Sequence, residues 1–434
     1  MKRYFSSLPI MAVVVTFAFA PWSVSAQTGA FSATPVSLTW EQVRSQFETN
    51  NPALRADTLG VDELKAAEVT AFLRPNPQFT INADGTQFAP HNGAWQPVRG
   101  EQVQGMLSYL HERERKRNLR QQSAKEGTEI ASAQHEDLKR NLEFNLRAAF
   151  VATLQAKATL LVAQDDLAYY DKLIAISRDR YRAGDIAQID LDRIELLRVQ
   201  YEAELQASLV NLRTAKIQLL QLLNSRTSVE AFDVQGNFDF SSDLKPLDDF
   251  RQMALDERPD LRAALAAAQQ AQTNHKLAVA NGSNDPTLSA WYTWNPSFNN
   301  PNENQSLGLG VSIPLRIFDR NQGEKQRTRI DMDRSKQLSD ATRAQVFSDV
   351  DSAYTQVESN IVLLRPYKEK YREQALRVRD TITYSYEHGG ASLLDFLNAQ
   401  SDYRQVKLAY VQLIGSYLTA AGQLNLAVGR EVLQ

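Results

Sequence analysis

The stretch SLGLGVSIPL, residues 306–315, alternates between apolar residues and residues that are small or polar. Its apolar positions include Leu307, Leu309, Val311 and Ile313. Side chains of a β-strand point alternately to opposite faces, so a period of two predicts a strand with one apolar face. That face needs a cover of protein or lipid.

Three further segments have the length of a strand. They are residues 78–88, 102–110 and 287–294. Polar linkers at 89–100 and 295–305 divide the four segments into two predicted strand pairs. A strand of about 9–11 residues crosses a bilayer when tilted, and free strand edges are not tolerated in lipid. Four strands cannot close a barrel alone. The sequence therefore predicts a barrel shared by several copies, and a soluble sheet capping a coiled coil stays open as the alternative.

A very long helix follows each strand pair. No proline occurs between 98 and 245, and Gly127 is the only glycine between 106 and 183. Nothing interrupts a helix over 111–182, which would be about 105 Å long at about 1.5 Å per residue. A second long helix is predicted over 322–386, with a kink at Pro366.

The chain contains two copies of one plan. Pro52 and Gly184 in the first half recur as Pro259 and Gly389, at nearly the same offset and in similar surroundings. A constant offset indicates an internal repeat. The predicted organisation is a signal peptide over 1–26, a first repeat over 27–235 with a helical hairpin at about 111–224, and a second repeat over 236–434 with a hairpin at about 322–428.

The N-terminus has the features of a secretory signal. Lys2 and Arg3 precede an apolar stretch at 10–20, and small residues end at Ala26. We therefore expect an exported protein, and no other continuously apolar segment predicts a membrane-spanning helix. The chain has no cysteine and hence no disulfide, thiolate metal site or lipid-acceptor cysteine. The formal net charge of −3, without blocks of like charge, argues against nucleic acid as a partner.

Two segments carry a family resemblance. They are SIPLRIFDRNQG at 312–323, where the second strand pair meets its helix, and GGASLLDFLNAQ at 389–400, at the second helical turn. Here, and in its architecture over about 36–429, the sequence resembles the TolC family of outer-membrane efflux proteins. The run FDRNQG is similar to the heavy-metal, CzcC-like branch. The first copy lacks a counterpart of Pro314, so the resemblance defines the first strand-to-helix junction less well.

The resemblance implies a mainly α fold with a small β part, a TolC-like trimeric α/β barrel. In the homotrimer, three protomers would share a twelve-stranded membrane barrel and a twelve-helix periplasmic tunnel. It also implies a place in the outer membrane of a Gram-negative bacterium, in contact with outer-membrane lipid. A periplasmic adaptor protein and an inner-membrane RND-type pump would be the partners, and the channel would perform no chemistry.

The turns that join each long helix to its returning helix are the predicted periplasmic mouth and, by the resemblance, the adaptor contacts. Their residues are Gly184, Asp185, Asp190, Gly389, Gly390, Ser392 and Asp395. The predicted strand-to-helix junction of the second copy contains Pro314, Phe318, Asp319 and Arg320. The glycines fit left-handed turns or plain helix ends. Asp190 and Asp395 fit either a ring of carboxylates that selects cations or the first turn of a helix, whose dipole they complement.

We predict no catalytic residue, cofactor or metal site. The chain has no Gly-x-Ser-x-Gly elbow, phosphate loop or His-Glu-x-x-His pattern, and its five histidines are scattered. The paired acids Asp165 and Asp166 are interpreted as a solvated helix face. The predicted function is the outer-membrane channel of a tripartite efflux system, a passive conduit for small solutes, with heavy-metal cations as the predicted cargo. A drug, solvent or type I secretion duct and a non-transport periplasmic coiled-coil tether remain as alternatives.

Overall fold

The computed structural model describes residues 36–90, 92–98, 100–295 and 304–433. The predicted signal peptide, 1–26, lies outside the described residues. The first half of the chain contains β1 (Val36–Leu38), α1 (Trp40–Asn50), α2 (Pro52–Phe72), β2 (Gln78–Asp84), β3 (Gln102–Leu110), α3 (Lys116–Ala183) and α4 (Gln188–Leu222). The second half contains β4 (Phe232–Val234), α5 (Leu247–Glu257), α6 (Pro259–Asn281), β5 (Thr287–Trp294), β6 (Gln305–Ser312), α7 (Gln322–Pro366), α8 (Arg372–Glu387) and α9 (Leu393–Val428).

Both halves have the same order of elements: a short strand, two helices, a strand pair, a long helix and a returning helix. In each half the second helix begins with a proline, Pro52 in α2 and Pro259 in α6. Proline suits this position because its missing N–H would have no partner in the first turn. The short strands β1 and β4 pair in parallel and connect the two halves.

The four long strands form one antiparallel sheet in the order β2-β3-β5-β6. β3 and β5 span the same residues as the two segments of strand length at 102–110 and 287–294. β2 ends at Asp84 rather than at 88, where the chain turns through Gly85 with φ +91°. β6 begins at Gln305 and ends at Ser312 rather than at 315. Pro314 has no N–H to donate to a ladder, which explains the earlier end.

The helix α3 has 68 residues and is therefore about 100 Å long. The predicted helix over 322–386 is interrupted as expected at Pro366, where a π-helical turn, Tyr367–Tyr371, separates α7 from α8. Proline removes one helix hydrogen bond, and a π turn absorbs that defect.

Three apolar clusters lie along the helices. One joins α5, α7 and α9 and includes Phe250 and Tyr417. A second joins α1, α3, the end of α4 and the strands β1 and β4, and a third joins the far ends of α3, α4, α8 and α9. Among the described helices, α3 alone has the length and composition to cross a membrane. It packs against α4, α6 and α9, and a packed core helix has the same composition.

Candidate functional site

The first predicted mouth turn is a tight helix end followed closely by a new helix. Gly184 has φ +84°, and its N–H donates to the Tyr181 carbonyl over 3.0 Å. The Asp185 N–H donates to the Arg180 carbonyl over 2.9 Å. This pair of bonds defines a left-handed helix end, which favours glycine because a Cβ atom is unfavourable there.

The second turn repeats this geometry. Gly389 has φ +76° and donates to the Tyr386 carbonyl over 3.2 Å, and the Gly390 N–H donates to the Ser385 carbonyl over 2.7 Å. Of the two glycines only Gly389 is left-handed. A Cβ atom on Gly390 would lie 2.9 Å from the Ser385 hydroxyl, which can rotate away, so the backbone requires glycine at 389 and not at 390.

Asp190 and Asp395 each occupy the third position of the returning helix, but their contacts differ. The Asp395 carboxylate accepts from the Ser392 hydroxyl over 2.7 Å, and the Ser392 hydroxyl accepts from the Asp395 N–H over 3.2 Å. The two residues form a reciprocal helix cap. The residue before α4 is Ala187, which has no side-chain oxygen to cap that helix. Asp190 is therefore not held by a cap.

The two hairpin ends pack against each other. The Tyr386 ring stacks on Phe396 with ring centroids 4.8 Å apart, and the Arg180 guanidinium lies 5.2 Å from the centre of the Tyr386 ring. Burial raises the pKa of the Tyr386 phenol, Arg180 offsets part of that rise, and Asp190 adds to it. Asp190 is thus electrostatically coupled to the other turn.

An ion cluster that sequence analysis missed lies further along the same helices. The Arg404 side chain bonds Asp166 over 3.0 Å and also pairs with Glu204, so α9 is tied to both α3 and α4. Burial raises the pKa of the Asp166 carboxyl, against the opposite effect of Lys407 and Arg404. The solvated-face prediction is therefore wrong for Asp166, whose side chain is 15% exposed, and fits Asp165, at 75%. Only packing between distant helices reveals this difference.

The second strand-to-helix junction contains the four predicted residues between β6 and α7. Asp319 accepts from the Asn321 N–H over 2.8 Å, and the Arg320 N–H donates to the Gln322 side chain over 2.8 Å. Asn321 is left-handed, with φ +60°, and starts the long helix. Pro314 and Phe318 lie in the preceding segment, and the Phe318 side chain is 89% exposed.

The first junction has the same design without a proline. Arg115 is left-handed, with φ +56°, directly before α3. Its neighbour Lys116 is 3% exposed and bonds Asp285 over 2.6 Å, while the Arg113 N–H donates to the other Asp285 oxygen over 2.8 Å. Burial alone would raise the pKa of Asp285, but the bonds from Lys116 and Arg113 lower it below its usual value. Asp285, just before β5, therefore connects the second repeat to the first. In the sequence, only its position before Pro286 indicated that it lies at a junction.

The sheet has two chemically distinct faces. The apolar face consists of the odd-numbered residues of β2, β3 and β6 and the even-numbered residues of β5. The polar face consists of the even-numbered residues of β2, β3 and β6 and the odd-numbered residues of β5. On the apolar face Leu307, Leu309 and Phe79 are 78%, 80% and 67% exposed. Within the described chain, β2 and β6 each lack a strand neighbour on their outer edge. A single copy therefore leaves both an apolar surface and two strand edges uncovered.

Among the residues that the structure describes, no group of three or more histidine, aspartate or glutamate side chains is placed to hold a metal ion. His135 bonds Asp57, His275 bonds Thr328, and His388 bonds the Tyr384 carbonyl. These histidines serve separate local contacts. His91 lies outside the described residues.

Comparisons with known proteins agree with this architecture. Residues 250–430 match the family model described as outer membrane efflux protein. Over 446 aligned residues the chain is 23% identical to the cobalt-zinc-cadmium resistance protein CzcC of Cupriavidus metallidurans, covering 99% of this chain and 100% of the relative. The solved CusC structure is similar with a TM-score of 0.75 and 17% identity, covering 94% and 96% of the two chains. VceC from Vibrio cholerae is similar with a TM-score of 0.74 and 16% identity, covering 91% and 97%.

Proposed function

We propose that the chain is the outer-membrane channel of a tripartite efflux system, because residues 250–430 match the outer membrane efflux protein model and the fold is that of solved TolC-like channels. It is a passive conduit, and its cargo is small solutes, with divalent heavy-metal cations foremost. The members of this family are channels and not enzymes.

One observation carries the proposal. The four-stranded sheet exposes an apolar face and ends in two free edges, and long helical hairpins continue from it. Unpaired edges cannot remain in lipid, so the sheet needs further copies that pair β6 of one protomer with β2 of the next. All neighbouring strands in the sheet are antiparallel, and this pairing would continue that pattern. A homotrimer would close the barrel with lipid on the apolar face and water on the polar face.

The cargo and partners extend this proposal. The relative CzcC, which aligns over its whole length, is named for resistance to cobalt, zinc and cadmium. The described residues include no cluster placed to hold a metal ion, and a conduit of this kind would leave the choice of solute to the pump that fills it. We therefore propose an RND-type pump and a periplasmic adaptor as partners. The adaptor would meet the hairpin ends at Gly184, Asp185, Gly389 and Gly390. The junction residues Pro314, Phe318, Asp319 and Arg320 would lie where the barrel meets the tunnel.

The first test is single-channel conductance of the purified protein in planar bilayers. We expect stable, cation-preferring openings, because acidic side chains lie at both hairpin ends. Complete absence of both insertion and conductance, or recovery only as a soluble rod, would favour the coiled-coil tether.

The cargo is tested in cells. Deletion of the gene should lower tolerance of zinc, cobalt or cadmium, and restoring the chain should recover it. Lost tolerance of organic drugs or solvents, with metal tolerance unchanged, would favour the drug duct instead.

A further inference from the structure

Trp291 is the one aromatic side chain on the polar face of the described sheet. The other long strands place mainly small or polar residues there, such as Thr80, Ser108 and Ser289. A large indole on this face therefore differs from its surroundings. In the proposed barrel it would be the bulkiest group facing the lumen.

The structure accommodates the indole on two glycines of the neighbouring strand. Trp291 lies directly opposite Gly308. A Cβ atom on Gly308 would overlap the Cε2, Cζ2 and Nε1 atoms of the ring, and one on Gly310 would lie 2.8 Å from its Cζ3 atom. The ring consequently occupies the space where two side chains of β6 would otherwise stand. It lies flat along the wall of the sheet and does not project from it.

This arrangement has a cost and a benefit. Glycine inside a strand is less favourable than alanine by about 0.5–1 kcal/mol, and an aromatic ring that covers it can offset that loss. The arrangement in this chain places the ring at the height where the Cβ atoms of β6 would otherwise stand.

We propose that Gly308 and Gly310 form a recess that stores the Trp291 indole against the barrel wall and so sets the clear width of the lumen. The inference rests on the proposed function, because that function makes the polar face the lumen. A side chain at 308 would turn the indole off the wall, and in a trimer this would happen at three places on one level of the barrel.

The test uses the accessibility of a single cysteine, since the native chain has none. Ser312 lies on the same face at the helix end of β6, whereas the β5–β6 connection lies at the other end, so a reagent entering from that connection must pass Trp291. Ser312→Cys is labelled in intact cells with a maleimide carried on polyethylene glycol. Gly308→Val should slow this labelling, and Trp291→Ala combined with Gly308→Val should restore it.

Ser306→Val is the matched control, because it adds the same side chain to the same face of β6 without replacing the glycine opposite Trp291. It should leave the labelling rate unchanged, and a small water-soluble thiol reagent should label all variants alike. Unchanged labelling in Gly308→Val, an equal loss in Ser306→Val, or no recovery in the double variant would overturn the inference. If Gly308→Val does not assemble, Gly308→Ala is used, because its Cβ atom alone overlaps the ring.

The outcome is separable from that of the proposed function. Labelling needs an open barrel but no flow through the hairpin ends, whereas conductance needs both. If the channel conducts but the labelling rate does not depend on residue 308, the inference about the recess is wrong and the channel proposal still stands.

Discussion

Asp190 and Asp395 hold the same position in the two repeats and have different chemical roles. Asp395 is bonded to Ser392 in a reciprocal cap, whereas Ala187 leaves Asp190 outside any cap. A carboxylate committed to a cap is less available to passing cations. As part of the proposed function, we therefore assign the cation-facing role at the mouth to Asp190 and not to Asp395.

Replacing either aspartate by alanine should separate these roles. Asp395→Ala should destabilise the start of α9 by about 1 kcal/mol, the usual value of such a cap. Amide hydrogen exchange at the first turn of α9 should then become about five times faster. Ser392→Ala should have the same effect, because it removes the other half of the cap.

Asp190→Ala should instead reduce the preference for cations in bilayer recordings, with exchange in α9 unchanged. If Asp395→Ala changed selectivity while exchange stayed slow, the assignment of roles would be reversed.

Asp285 is predicted to stabilise the sheet-to-helix junction in a pH-dependent manner. It pairs with Lys116, whose side chain is 3% exposed, and losing one partner of a buried pair costs about 3 kcal/mol. Asp285→Asn should therefore lower the Tm in detergent at pH 7. The pKa of Asp285 is lowered in the folded protein, so its contribution is fully present above the unfolded value of about 3.9 and is lost as pH falls through the folded value.

The Tm difference between Asp285→Asn and the native chain should accordingly be constant near neutral pH and shrink in acid below about pH 4. Asp62→Asn is the control, because Asp62 bonds Lys65 at an exposed site and such pairs contribute about 0–1 kcal/mol. Equal effects of the two substitutions would show that the junction does not depend on the buried pair.

At the scale of elements, the sheet is the part of the chain whose environment can be tested residue by residue. Ile81 lies on the apolar face of β2, and the adjacent Asn82 lies on its polar face, bonded to Gln104. In the proposed barrel the two side chains face lipid and water, respectively. They form a matched pair one residue apart.

Single cysteines at these two sites should therefore react differently in isolated outer membranes. Asn82→Cys should react with a charged, water-soluble thiol reagent, and Ile81→Cys should react only with a maleimide that partitions into lipid. Equal reaction of both with the charged reagent would indicate a sheet that is wetted on both faces, as expected for a soluble cap.

At the scale of the whole molecule, the free edges of β2 and β6 are the surfaces that other copies would cover. Ile81, Leu307, Leu309 and Val311 all belong to the apolar face. Cysteine at 81 combined with cysteine at 307, 309 or 311 should give a disulfide between protomers at one register, because facing residues of paired strands lie about 4.5–5.5 Å apart at Cβ.

Oxidation should convert that pair into covalent dimers and trimers on denaturing gels. Cysteine at 81 with cysteine at 292 is the control, since Tyr292 lies on the same face of the inner strand β5. If no cysteine pair across the edges gave covalent dimers and trimers, the proposed pairing of β6 with β2 of the next protomer would be wrong.

The elements and their order follow from local patterns in the sequence. The period of two in residues 306–315, the long intervals without proline and the recurrence of Pro52 and Gly184 as Pro259 and Gly389 are local patterns, and local patterns specify strands, helices and turns. Pro366 likewise predicted the interruption of the helix, which takes the form of a π-helical turn. The ends of strands were predicted less accurately than their existence. β6 ends at Ser312, before Pro314, because proline has no N–H to donate to the ladder.

Which side chains meet depends on the packing of the folded chain. Asp166 differs from Asp165 because Arg404 of α9 bonds it in the folded chain. Lys116 likewise pairs with Asp285 of the other repeat. The Trp291 ring required the register that places it opposite Gly308. These contacts join residues far apart in sequence, and their geometry depends on how whole helices and strands pack, which no local pattern encodes.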